Sequence, residues 1–350
     1  MTLSFDRIVA DAVRAGASDL HLTAGNPPAL RVHGAIQLMA MAPLEEAALA
    51  AALDAILTPA QRHVYATTRR LCFTWRHPDG GFFRVNVYSH MGRMEAAVRV
   101  NASRLPTLPE LGVPELMAEL MHLPQGLVLI TGATGQGKTT TLHALLARVH
   151  AEQRKKIITV EDPVEYRHGE GRSVMVQQEI GLDADCFHAA VIHALRQDPD
   201  LLCIGEMRDL DTISAALTAA ETGHLVLATL HTTGAAGTIS RIVDVFPAHQ
   251  QEQVRLQLAL TLRCVISQRL LPRADGSGRL LVYELMLAND AVRAHIRENK
   301  LHQIASVIQT SAALGMRSMD RMIREAWHAG EITYETASSA VSDARVLKAG

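Results

Sequence analysis

Residues 127–149 read LVLITGATGQGKTTTLHALLARV. An apolar run that stops at a glycine, continues as GxxxxGK[ST] and then turns helix-like has few folded solutions. The strand must end where glycines let backbone N–H groups turn inward, and a helix must start there with its positive end toward an anion. Gly132, Ala133, Thr134, Gly135, Gln136 and Gly137 make the turn, and Lys138, Thr139 and Thr140 open the helix. In such a cradle Lys138 brings positive charge to the β- and γ-phosphates, and Thr139 offers a hydroxyl to Mg²⁺. GTPase switches usually add an Asn-Lys-x-Asp motif that reads the base. The only Asn-Lys here, Asn299-Lys300, is followed by Leu-His, so that motif is absent.

The surrounding pattern is α/β. Apolar runs at 127–131, 156–160, 201–205 and 225–229 alternate with helical stretches. Continuous apolar runs between helices predict a parallel sheet covered on both faces. Residues 264–272 and 279–286 flank RADGSG and read as a hairpin, and the tail from Asp290 reads as helical. Upstream, residues 5–15 are helix-periodic, two short extended runs flank Gly25-Asn26-Pro27-Pro28, and one helix is expected from Pro43 to about Tyr65. Residues 71–101 alternate apolar and polar around HPDGG, an antiparallel pattern. These readings predict a small α+β domain over 1–101, a proline-rich linker over 102–112, a phosphate-binding α/β domain over 113–289 and a C-terminal helical region over 290–350.

Composition excludes several classes. Net charge is −2 without long single-sign blocks, and aromatics are 4%, which argues against direct nucleic-acid binding by a basic, base-stacking channel. Four scattered cysteines form no CxxC pair, which speaks against a zinc knuckle and suits a reducing cytoplasm. The N-terminus has no signal-peptide pattern, and no apolar run is long enough for a transmembrane helix.

Three further stretches carry chemistry. TVEDPVEY (159–166) gathers Glu161, Asp162 and Glu165 where a parallel strand ends, the place such sheets bind ligands. DLLCIGEMRD (200–209) ends a buried strand on Gly205-Glu206. Glu165 and Glu206 both qualify to position water near a γ-phosphate. AAETGHLVLATLHTT (219–233) flanks a strand with His224 and His231; seven residues apart, they fall on opposite faces, which disfavours one shared metal. Arg84, Arg93 and Arg99 in the first domain can supply positive charge to phosphate.

GATGQGKTT, TVEDPVEY, GEMRDLDT and TAAETGHLVLATLHTT resemble, in order and spacing, the Walker A, Asp, Walker B and His boxes of the secretion ATPase superfamily. Within it the chain is similar to the PilT group of type IV pilus retraction motors: GASDLHLTAGNPPALRVHG, AVRAHIREN (291–299, like the AIRNLIRE motif) and IQTSAALGMRSMD (308–320) extend the likeness over nearly the whole chain. The resemblance implies a PAS-like N-terminal domain, a RecA-like P-loop domain with a parallel-sheet core, and C-terminal helices. It implies ATP with Mg²⁺ held by Thr139 and Glu206, and Glu165 as the catalytic glutamate. His224 and His231 would relay nucleotide state, and Arg84 and Arg99 would act as arginine fingers. It also implies a cytoplasmic homohexamer, peripheral at the inner membrane, that acts on a platform protein and only indirectly on the pilin fibre, beside a paralogous motor. Ala133 and Gln136 depart from the usual proline and serine, and Ala294-His295 from Asn-Leu. The last departure leaves room for an accessory, PilU-like motor. Type II or IV secretion and pilus-assembly ATPases are the remaining alternatives.

Overall fold

The computed structural model describes residues 4–32, 34–77, 81–100 and 104–348. The chain forms two compact units, Met1–Arg104 with Pro163–Arg167, and Leu105–Asp162 with His168–Gly350.

In the first unit, β1 (Asp19–Leu22), β2 (Ala29–Val32), β3 (Ala35–Leu38), β4 (Arg70–Arg76), β5 (Phe82–His90) and β6 (Arg93–Val100) form one sheet in the order β3-β2-β1-β6-β5-β4. All of its pairings are antiparallel. Alternation sends Leu20, Leu22, Val85, Val87, Ala96 and Val98 into a core shared with Phe5, Ile8 and Val9 of the helix Phe5–Arg14. The opposite face is polar. There Arg84 and Arg99 stand directly across from each other on β5 and β6, and Asp19 opposes Arg99.

The single helix expected to Tyr65 is two helices, Glu46–Ala55 and Pro59–Thr68. Pro59 cannot continue the first helix but suits the first turn of the second, where Thr58 and Gln61 form a reciprocal capping box. The edge strand β3, with Ile36 and Leu38 exposed, was not foreseen. In the expected HPDGG turn, Pro78, Asp79 and Gly80 lie outside the described residues.

The second unit is built on β7 (Gly126–Thr131), β8 (Lys156–Glu161), β9 (Val174–Glu179), β10 (Leu201–Ile204), β11 (Leu225–Leu230), β12 (Leu262–Pro272) and β13 (Arg279–Leu287), in the order β13-β12-β7-β11-β10-β8-β9. Every pairing is parallel except β12 with β13. β7, β10 and β11 are buried at every residue because helices cover both faces. Leu127 and Leu129 pack on one side with Ile213, Ile239 and Leu258; Val128 and Ile130 pack on the other with Met117, Leu142 and Leu146. Each such aliphatic side chain contributes about 1.5–3 kcal/mol by leaving water.

The boundaries differ from those expected. Leu108, within the stretch expected as a linker, is buried in the core of the second unit; Ala102 and Ser103 lie outside the described residues. Val292, Ile296, Ile304 and Ile308 join the same core as β7 and β11, so the C-terminal helices belong to the second unit. Pro163–Arg167 packs instead with the first unit, where the Thr74 hydroxyl donates to Val164 O (3.2 Å) and Arg167 lies over the Phe82 ring. β9, whose sequence VMVQQE mixes apolar and polar residues, gave no continuous apolar run to find.

Candidate active site

Strand order explains why distant motifs meet. β7, β11 and β10 are neighbours, and their register aligns Thr131 with Leu230 and Ala228 with Ile204. The loops that follow all three therefore emerge at one end of the sheet. The phosphate loop leaves β7, Glu206 follows β10, and His231 follows β11.

The phosphate loop carries the backbone its sequence demands. Gly132, Gly135 and Gly137 have φ of 147°, 77° and 77°, values that L side chains rarely adopt. A Cβ on Gly132 would lie 2.5 Å from the Gln268 carbonyl oxygen of β12, so close approach as well as φ requires glycine there. The helix Lys138–Glu152 begins directly after Gly137 and points its N-terminus into the loop. Gln136, where serine was expected, accepts a hydrogen bond from the Leu270 backbone N–H of β12. Arg279 Nη1 donates to Gly135 O at 3.2 Å, a second tie from the hairpin to the loop.

Lys138 is buried, and its Nζ donates to Gly132 O (2.8 Å) and Ala133 O (2.9 Å). Its third neighbour is His231 Nδ1 at 3.2 Å. Facing an ammonium, Nδ1 accepts, so the ring proton sits on Nε2, which lies 2.9 Å from Glu206 Oε1. The other Glu206 oxygen is 2.7 Å from Arg208 Nη2. Burial works to raise the Glu206 carboxyl, but Arg208 and His231 together bring it below its usual value. Burial lowers the Lys138 ammonium, with Glu206 opposing. The result is a line of alternating character, Lys138–His231–Glu206–Arg208, beside the phosphate loop. Thr134 reaches the same histidine, with its hydroxyl 3.4 Å from Nδ1.

Lys138, Glu206 and His231 are thus brought together on the second unit, and Thr139 follows Lys138 as the second residue of its helix. His224 is not among them. It stands before β11, at the opposite end of a six-residue strand, where its Nδ1 is 3.1 Å from Ala219 O. At about 3.3 Å per residue the strand separates His224 from the phosphate loop of its own chain by roughly 20 Å. Arg84, Arg99 and Glu165 belong to the first unit. There Arg99 Nε donates to Asp19 Oδ1 at 3.3 Å, Arg84 Nε to Cys72 Sγ at 3.3 Å, and Arg93 pairs with Glu46. Arg208 was not singled out from sequence, although its place two residues after Glu206 in one loop was a usable signal.

Glu161 proves to be structural. It is buried, its Oε2 lies 3.0 Å from His143 Nε2, and its Oε1 accepts from Thr159 (2.6 Å) and Gln177 (3.2 Å). His143 Nδ1 contacts His168 Nε2 at 3.0 Å. Burial, reinforced by the charge of His143, lowers His168 from 6.5 to about 4. Between those values the unfolded chain takes up a proton that folded His168 refuses, so stability falls as pH drops through that window. Replacing His168 by Gln keeps a partner for His143 and removes this proton. The loss of stability between pH 7 and pH 5 is expected to shrink by about 1–2 kcal/mol, read by denaturant unfolding at both pH values. An unchanged loss would remove His168 from the account.

A phosphate loop between a parallel strand and a helix, with an acid and a histidine from the next two strands, defines a RecA-like P-loop nucleotide-binding domain. The chain belongs to the type II/IV secretion system protein family, whose model matches residues 1–337. It is 41% identical over 335 residues to the type IV pilus retraction ATPase PilT of Pseudomonas aeruginosa, covering 96% of this chain and 97% of that one. It is 34% identical over 346 residues to the type IV pilus ATPase PilU of the same organism, covering 99% and 91%. A crystal structure of the pilus retraction motor PilT with bound ADP superposes with a TM-score of 0.91 at 41% identity, covering 99% of each chain. Among the described residues no helix is long and apolar enough to cross a membrane.

Proposed function

We propose that this chain is a motor subunit that hydrolyses ATP to ADP and phosphate and so powers type IV pilus retraction. The observation that carries this reading is the likeness to a retraction ATPase along both full chains, joined to an intact cradle. The glycine turn adopts backbone conformations that L side chains rarely take, and Lys138 and the helix N-terminus supply the positive end. Thr139 and Glu206 would hold Mg²⁺, which when bound neutralises charge on the phosphates. Phosphate oxygens would replace Gly132 O and Ala133 O as partners of Lys138. His231 would feel that change through Nδ1 and pass it to Glu206 through Nε2. Glu165 would orient the attacking water, and Arg84 and Arg99 would stabilise charge on the γ-oxygens. We further infer a homohexamer acting on an inner-membrane platform protein.

Cells lacking the gene are expected to carry many surface pili and to show no twitching, and a Lys138→Ala copy is not expected to restore movement. Bald cells would overturn retraction in favour of assembly. A second reading, an accessory motor, rests on the helix Asp290–Arg297. There His295 occupies the place of an apolar residue, and its Nδ1 is buried without a hydrogen-bond partner among the described residues. Normal piliation with weakened twitching would favour it.

A further inference from the structure

The loop 231–234 carries His231 and leads into the helix Ala235–Asp244. The N-cap of that helix is Gly234, at φ 76° and ψ 152°, and it has no side chain with which to cap. A helix start leaves backbone N–H groups without partners, and those groups need acceptors. Here the acceptors come from the far edge of the sheet. Gly234 N–H donates to Ser267 Oγ of β12 at 2.8 Å, and Ala235 N–H donates to Glu284 Oε1 of β13 at 2.7 Å.

These two side chains stand in one row. Glu284 pairs with Ser267 across β13 and β12, and Ser267 pairs with Thr131, the last residue before Gly132. Thr238 completes the set: its hydroxyl donates to Gly234 O at 2.8 Å and lies 2.7 Å from Thr232 Oγ1. Thr131, Thr238 and Ser267 are all buried, so the row is a satisfied internal polar network and not a wet surface. A helix that caps itself sets its own first turn. One capped from a neighbouring hairpin is registered to that hairpin, and here the registered segment holds His231 between Lys138 and Glu206.

We propose that Glu284 and Ser267 are positioning residues for hydrolysis, fixing the loop 231–234 so that the His231 ring bridges Lys138 and Glu206. The carboxylate suits this place because it faces the positive end of a ten-residue helix. Burial raises its carboxyl, Asp320 adds to the rise, and the Ala235 N–H opposes it. This inference rests on the reading of the cradle as an ATPase site.

The test is steady-state ATPase activity, nucleotide affinity and melting temperature of purified full-length variants. Glu284→Ala is expected to lower kcat about tenfold while nucleotide affinity stays within about threefold. Glu284→Gln keeps an acceptor oxygen and is expected to recover most of the rate. The discriminating variant is the pair His231→Ala with Glu284→Ala. If Glu284 acts through His231, the double variant is no slower than His231→Ala alone. Losses that multiply in the double variant, or an unchanged kcat in Glu284→Ala, would overturn the proposal. Should Glu284→Ala fail to fold, Ser267→Ala removes one oxygen only. It is expected to lower kcat about threefold and, again, not beyond the His231→Ala level. If His231→Ala and Glu206→Gln both turn over at the native rate, the ATPase reading itself falls; if they are slow and Glu284→Ala is not, only the positioning role falls.

Discussion

Glu206→Gln is expected to bind ATP within a few-fold of the native affinity and to turn it over on the order of 10²–10³ times more slowly. The phosphate-binding parts, the glycine turn, Lys138 and the start of its helix, do not depend on the carboxylate. The placement of metal and water does. The amide keeps the size of the side chain and one acceptor oxygen. It loses the charge that faces Arg208 at 2.7 Å and His231 at 2.9 Å. Binding isotherms and steady-state turnover on the same preparation separate the two effects. Native turnover in a variant that binds normally would take Glu206 out of catalysis.

Gly132→Ala is expected to be the most damaging single-methyl change in the site. The added carbon would lie 2.5 Å from the Gln268 carbonyl oxygen, and the backbone there has φ 147°. Steric overlap and backbone strain together cost about 2–5 kcal/mol. They can be relieved only by moving the loop off β12, which also disturbs the Gln136 tie to Leu270. Nucleotide affinity is expected to fall by more than about tenfold, since 1.4 kcal/mol already gives that factor. Gly135→Ala is the control. Its φ is 77°, but nothing lies within 4 Å of its added carbon, so only the strain, about 1–2 kcal/mol, remains. Equal melting temperatures for Gly132→Ala and the native protein would mean that the loop does not rest on β12.

The parts legible in the sequence were those written in local pattern. The runs at β7, β8, β10 and β11 are continuous and apolar because both faces are covered, and the glycines of the phosphate loop announce positive φ by residue type alone. The helix break at Pro59 was also written there, in Thr58-Pro59 and Gln61, but the alanine-rich stretch before it masked the signal. Contacts that depend on strand order were not legible. Gln136 meets Leu270 and Ala235 meets Glu284 only because β12 lies beside β7 and β13 beyond it. Nor was the position of His224: spacing along a strand says which face a residue takes, whereas the end of the strand decides what it can reach.

The five residues Pro163–Arg167 give the molecule an unusual genealogy of parts. Glu165 lies well beyond Arg104, where the continuous part of the first unit ends, yet its segment is at home in that unit. A chimera joined at Arg104/Leu105 would therefore take its first unit from one parent and a stitch of that same unit from the other. The Thr74–Val164 hydrogen bond and the Arg167–Phe82 stack would each acquire mismatched ancestry. The two units are thus not interchangeable cassettes: a graft that keeps these two contacts must carry residues 163–167 along with the rest of the first unit.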